Sequence, residues 1–142
     1  MKPAFWDSSS LVPLCLQQHP SAVVRQLARR YSIAVWWATP VEVRSAFARL
    51  SRMGALDSAG WQLADATLTA LRGRWREIAP DEHLRLGVEM LLPRFPLRAA
   101  DALQLAAAMT WAMDQPRGRV FISGDAQLLA AARQLGFQAI EA

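Results

Sequence analysis

The sequence predicts a doubly wound α/β domain, a central parallel sheet of four to five strands with helices on both faces. Three observations carry that expectation. Short apolar, β-rich runs recur along the chain, each separated from the next by a stretch of helical periodicity. Glycine and proline punctuate the boundaries. Strands separated by helices imply parallel pairing, because parallel neighbours need crossover connections. The 142 residues are the size of one ordinary domain, and no Gly/Ser linker, long charge run or repeat divides residues 1–142.

Ala4 to Trp6 reads as a first strand ending at Asp7, with Ser8, Ser9 and Ser10 placed to cap a helix through Leu11 to Gln17. Pro20 opens a second helix with Val23, Val24 and Leu27 on an apolar side and Arg25, Arg29 and Arg30 toward water. Ile33 to Trp37 is a continuous apolar run, as in a strand covered on both faces. Thr39-Pro40-Val41-Glu42 reads as a helix start with Thr39 as N-cap, running to Met53 before Gly54. A helix over Ser58 to Leu71 follows, then a short edge strand within Trp75 to Ala79. Pro80-Asp81-Glu82 opens a helix to Met90. Pro93 and Pro96 break the chain before an Ala/Leu-rich helix from Leu97 to Met113. Val120 to Ser123 is a strand, Ala126 to Leu135 a helix ended by Gly136, and Phe137 to Ile140 a last strand.

Composition narrows the class. Hydrophobic residues make up 53% and charged residues 20%, a globular balance. The apolar stretch Leu103 to Met113 is interrupted by Gln104 and Thr110 and falls short of the ~20 residues of a membrane span. The N-terminus lacks the pattern of a secretory signal, and Cys15 has no partner for an internal disulfide, so a cytoplasmic protein with a buried thiol is expected. The net charge is +4, carried almost wholly by arginine, with Lys2 the only lysine. Arginine's planar fork suits phosphate. The same composition follows from GC-rich coding, so the charge permits a nucleic-acid partner without requiring one.

The acidic residues are few, and their places are informative. Asp7 follows the first strand, Glu42 starts the helix after the second, and Asp125 follows the strand Val120 to Ser123. Asp101 lies in the first turns of the Ala-rich helix. Open α/β sheets bind ligands at the carboxyl ends of their strands, where the strand order reverses. One crevice there can collect all four. Each also has a structural reading. Asp7 suits a turn or cap, Glu42 the reciprocal partner of Thr39 in a capping box, Asp101 a helix dipole and Asp125 an N-cap. If gathered, the four repel one another unless protons or cations neutralise them. Hard oxygen donors suit Mg²⁺ or Mn²⁺, and the matching chemistry is phosphodiester hydrolysis with metal-activated water. His19 and His83 stand apart from each other in the sequence and suggest no metal-free histidine pair.

Phe5-Trp6-Asp7-Ser8-Ser9-Ser10-Leu11-Val12 and Thr39-Pro40-Val41-Glu42-Val43 resemble the first two motifs of PIN domains, especially VapC-type toxins. Leu97-Arg98-Ala99-Ala100-Asp101-Ala102-Leu103-Gln104-Leu105-Ala106 resembles the third motif. Val120-Phe121-Ile122-Ser123-Gly124-Asp125-Ala126-Gln127-Leu128 resembles the fourth, and the resemblance continues to Phe137. It implies metal ligation by Asp7, Glu42, Asp101 and Asp125, with Ser9 and Ser123 as polar supports of a carboxylate or bound water. It also implies an endoribonuclease acting on RNA as the toxin of a toxin–antitoxin pair, silenced by a small antitoxin.

Residues 53–94 carry no motif of that family. Trp61 and Trp75 there are read as core, with a homodimer or antitoxin groove as the alternative. Trp36 and Trp37 point to opposite faces of a strand and are likewise read as packing, with RNA stacking as the other use. Two further functions compete. One is an inactive PIN scaffold that binds RNA or a protein partner, against which stands the filling of all four acidic positions. The other is a phosphoaspartate domain, which wants a lysine near Asp7, whereas Lys2 begins the strand that Asp7 follows.

Overall fold

The computed structural model describes residues 1–16 and 22–142. The chain order is β1 (Lys2–Trp6), α1 (Ser8–Cys15), α2 (Ala22–Arg30), β2 (Tyr31–Trp36), α3 (Thr39–Arg52), α4 (Ser58–Arg72) and β3 (Arg76–Ile78). It continues with α5 (Glu82–Leu91), α6 (Ala99–Trp111), β4 (Val120–Ser123), α7 (Ala126–Leu135) and β5 (Gln138–Glu141). The five strands form one all-parallel sheet in the order β3-β2-β1-β4-β5. The architecture is α/β and doubly wound, as the alternation of apolar runs and helices predicts.

Side-chain alternation along the strands divides the interior into two cores. Phe5, Ala34, Trp36 and Phe121 face α5, α6 and α7, packing with Leu84, Val88, Leu105 and Leu128. Ala4, Trp6, Val35 and Ile122 face the other way, onto Leu11, Val24, Phe47 and Leu68 of α1 to α4. Phe5 and Phe121, paired across β1 and β4, stack at 5.7 Å. Helix α6 lies on the sheet through small side chains, with Ala102, Ala106, Ala107 and Ala108 all buried. Trp61 and Trp75 pack half-buried against the second core, which is the packing role expected of them. No helix among the described residues is long and apolar enough to cross a membrane.

Several boundaries differ from expectation, each for a local reason. Asp7, in extended conformation, is the N-cap of α1, so the three serines form its first turn and do not cap it. The end of α1 expected at Gln17 and the start of α2 expected at Pro20, like His19, lie outside the described residues. Val23 is exposed, and the buried side of α2 is carried by Val24 with Leu27 half-buried. Ala38, not Thr39, precedes α3, whose first two positions are Thr39 and Pro40. Strand β2 begins two residues before Ile33 and ends at Trp36, leaving Trp37 to extend the ladder by one bond from its N–H to the Ile78 carbonyl at 3.1 Å. Helix α6 starts after Arg98, because Leu97 follows Pro96, and ends before Met113 and Asp114, both left-handed at φ 52° and 57°. Strand β5 begins at Gln138, since Phe137 turns into the core after Gly136, which ends α7 at φ 111°. The short edge strand expected before Pro80 is present as β3, paired with β2.

Candidate functional site

Strands β1 and β4 are neighbours at the centre, and from them the chain winds outward in opposite directions, to β2 and β3 on one side and β5 on the other. Their carboxyl ends therefore border the crevice where such sheets bind ligands. Asp7 stands there, on the central strand, 3% exposed. It caps α1 through its backbone only, and its side chain makes no cap bond. The carboxylate instead accepts from Ser9 Oγ and, at 2.9 Å, from Ser123 Oγ, both on Oδ2. A capping role for the Asp7 side chain is thus replaced by a buried anion held by two hydroxyls.

The serines tie the two strand ends together. Ser9 Oγ accepts from Gly124 N at 2.9 Å, and Ser123 Oγ accepts from Asp125 N at 3.0 Å. Gly124 is required by space, since a Cβ there would stand 2.8 Å from the Ala142 carbonyl oxygen. Asp125 does cap α7, with Oδ1 accepting from Leu128 N at 2.9 Å, as its structural reading has it. Its Oδ2 makes no hydrogen bond among the described residues.

Glu42 joins from the first turn of α3. Ser8 Oγ donates to its Oε2 at 2.7 Å and stands 3.5 Å from Asp7 Oδ1, so one hydroxyl lies between the two carboxylates. Gln104 Nε2, from α6, reaches the same Oε2 at 3.1 Å and Thr39 Oγ1 at 3.3 Å. The capping-box reading of Glu42 fails, because Thr39 is inside the helix and the carboxylate binds Ser8 and Gln104. Asp101, in the first turn of α6, meets the group through charge: Asp125 and Asp7 both push its carboxyl upward, and it does the same to Glu42.

Burial is the first cause of the raised pKa of Asp7, opposed by the bonds from Ser9 and Ser123. Glu42 is raised first by burial and further by the charges of Asp7 and Asp101, against the bonds from Ser8 and Gln104. Asp101 is raised by burial, then by Asp125 and Asp7, with the Arg98 backbone and charge opposing. Glu42 and Asp101 carry the signature of negative charge crowded in partial shelter from water, whereas Asp7 is raised by burial. Cys15 lies in the core, its thiol pushed up to about 12 by burial, and takes no part.

The donor set suits a hard divalent cation: carboxylate and hydroxyl oxygens, with one oxygen on Glu42 and one on Asp125 not committed to hydrogen bonds among the described residues. Among the described residues no three carboxylate, imidazole or thiolate groups are already gathered closely enough to hold an ion. Ser8 Oγ lies between Asp7 and Glu42, and a cation would take over the role that this hydroxyl now fills. His83 pairs with Asp114 at 3.5 Å on an exposed surface, apart from these residues. Lys2 begins β1 and Asp7 follows its far end, which removes the lysine that a phosphoaspartate site would want.

Four polar residues of this network were not singled out from the sequence as site members: Ser8, Ser10, Thr39 and Gln104. Ser10 Oγ donates to the Asp7 carbonyl at 2.6 Å and anchors the turn. Gln104 is 1% exposed and its Oε1 has no partner. Its sequence signal was available: a lone amide inside a run of alanines and leucines, three residues after Asp101 and so on the same helix face.

No protein-family model and no curated protein matches the chain. Among solved structures it is similar to the crystal structure of PAE2754 from Pyrobaculum aerophilum, with a TM-score of 0.64 and 20% sequence identity. The match covers 99% of this chain and 83% of that one, and at this identity it shows a shared fold.

Proposed function

We propose that the chain is a Mg²⁺- or Mn²⁺-dependent endoribonuclease, with Asp7, Glu42, Asp101 and Asp125 as its acidic centre. The observation that carries this reading is the hydrogen-bonded chain from Gln104 through Glu42 and Ser8 to Asp7, and on through Ser123 to the backbone N–H of Asp125, with Asp101 coupled to it by charge. A helix dipole or a cap explains one carboxylate at a time, and no such role gathers four at a sheet's switch point. The resemblance of the four motifs to PIN domains supplies the substrate class, RNA.

The side chains divide the work. Asp7, Glu42, Asp101 and Asp125 would hold the cation, which when bound supplies activated water and neutralises charge at the phosphate. Ser9 and Ser123 fix the rotamer of Asp7, and Gln104 and Ser8 fix that of Glu42, so both carboxylates are oriented before substrate arrives. We read the cellular role as the toxin of a toxin–antitoxin pair in the cytoplasm. A small antitoxin would place a basic side chain among the carboxylates, and a second copy of the chain would cover apolar surface such as Met90 and Met113, 71% and 77% exposed.

Total RNA incubated with Mg²⁺ or Mn²⁺, against an EDTA control, tests the reading. The expected products carry 5′-phosphate and 3′-hydroxyl ends and vanish in EDTA. Ends bearing 2′,3′-cyclic phosphate would show attack by the RNA's own hydroxyl and overturn it. RNA binding with no cleavage in any divalent metal would instead identify an inactive scaffold.

A further inference from the structure

Trp36 ends β2 level with Asp7: Phe5 pairs with Ala34, and each of the two lies two residues further along its parallel strand. The side chain is 4% exposed, yet its indole Nε1 has no hydrogen-bond partner among the described residues. A phenylalanine would pack there without stranding a donor, and buried donors without acceptors are rare because they are costly. Trp36 also walls a cleft of about 310 Å³, with Pro80, Asp81, Glu82 and Arg85 on one side and Leu103 on the other. Pro80 follows the carboxyl end of β3 and Trp36 stands level with Asp7, so the cleft lies toward the same edge of the sheet as the acidic crevice.

The cleft mixes an apolar wall with polar groups at its rim. Asp81 commits Oδ1 to Leu84 N at 2.7 Å and keeps its second oxygen, while the exposed Glu82 and Arg85 pair at 3.3 Å. Beside it, Trp37 is 54% exposed and meets the Trp36 ring at 6.4 Å and 67°. The volume sits at the small end of ligand pockets, which run from about 300 Å³ upward. A flat heteroaromatic ring with carbonyl or ring-nitrogen acceptors fits such a place, and single-stranded nucleic acid is held by stacking on exposed aromatic rings.

Resting on the ribonuclease reading of the neighbouring carboxylates, we propose that this cleft seats one base of the bound RNA. The indole N–H of Trp36 donates to an acceptor on that base, and Trp37 gives the adjacent base a face to stack on. The donor is enclosed in the free chain, so seating the base requires the lining of the cleft to move.

Titration of the metal-free full chain in EDTA with the four ribonucleoside monophosphates, followed through the indole N–H resonances, separates this proposal from catalysis. The Trp36 signal is assigned by its absence from Trp36→Phe or, if that variant does not fold, by through-space contacts to Leu84 and Leu103. At least one nucleotide is expected to shift it saturably, while ribose 5-phosphate, which lacks a base, leaves it in place. Trp37→Ala should weaken binding of a short single-stranded RNA roughly fivefold or more, a larger loss than it causes for a mononucleotide. If no nucleotide moves the Trp36 resonance, or ribose 5-phosphate moves it equally, the base subsite is wrong even if the chain cleaves RNA. If the resonance responds and no metal supports cleavage, the subsite stands and the ribonuclease reading falls. If Trp37→Ala binds the single strand as wild type does, the stacking half of the proposal is wrong.

Discussion

Gln104 and Glu42, 62 positions apart in the chain, meet at 3.1 Å, amide nitrogen to carboxylate oxygen, and the contact fastens α6 to the start of α3. The same amide leaves its own oxygen buried and unpartnered. Gln104→Leu should therefore remove a desolvated acceptor and cost little stability, within about 1 kcal/mol of wild type. Cleavage should fall roughly tenfold or more, because Glu42 loses a bond that orients it and lowers its pKa. The acidic limb of the pH–rate profile should move upward with it. Thermal melts beside a pH–rate profile check this. An unchanged profile with lost stability would make Gln104 a packing residue only.

Asp101 offers a direct contest between charge crowding and a helix dipole. If it serves only the dipole, Asp101→Asn should lose ~0.3–1 kcal/mol of stability with or without metal. Its carboxyl is instead pushed up by Asp125 and Asp7. We expect the neutral amide to melt higher than wild type in EDTA and to gain less from Mn²⁺, since ligand binding to the native state supplies that gain. Four melting curves, two proteins with EDTA and with Mn²⁺, decide the matter.

The pH dependence follows from the raised carboxyls. Asp7 and Asp101 start from 3.8 and Glu42 from 4.5, and all three rise on folding. The native state then holds protons that the unfolded chain has released, so stability falls as pH climbs from about those values through the folded ones. Below the unfolded values the penalty is absent, and above the folded values it is complete. Urea unfolding in EDTA should show wild type and Glu42→Gln converging toward pH 4 and Glu42→Gln becoming relatively more stable toward neutrality. A gap that does not change with pH would refute the crowding account of Glu42.

Gly124 stands where a methyl group would press on the Ala142 carbonyl at 2.8 Å and approach Ser9 Oγ at 3.5 Å. Gly124→Ala should cost roughly 1–3 kcal/mol, as overpacking does. It should also loosen the bond from Gly124 N to Ser9, and with it the seat of Asp7. Chemical denaturation and single-turnover cleavage should both decline. Full activity in the variant would show that the end of β5 yields and that Ser9 is not held from this side.

The fold was legible because its signals are local and repeated. Val120 to Ser123, Ala126 to Leu135 and Ser58 onward appear within a residue of their expected bounds, each bracketed by a cap or a glycine. The four carboxylates were legible by position, since strand ends and helix starts share one edge of a parallel sheet. The partners that hold them were not. Ser8 and Thr39 were taken for caps because capping is the commonest work of such residues beside a helix start. What reassigns them is Glu42, which accepts from Ser8, and Gln104, which arrives from another helix at Thr39, and no local pattern announces contacts across 34 or 65 positions. Trp36 and Trp37 show the same limit: alternation says that they face opposite ways, and only packing says which one is covered.

The pairing of Phe5 with Phe121 has a consequence for synthesis. The central strand emerges first from the ribosome, but its neighbour β4 follows some 115 residues later, and Ser123 and Asp125 come with it. Contacts of such long sequence separation form late and slowly. A nascent or stalled chain that has not yet reached β4 therefore holds Asp7 without Ser123, and Asp101 without Asp125. The cell making this protein meets the assembled acidic centre only once Asp125 has left the ribosome.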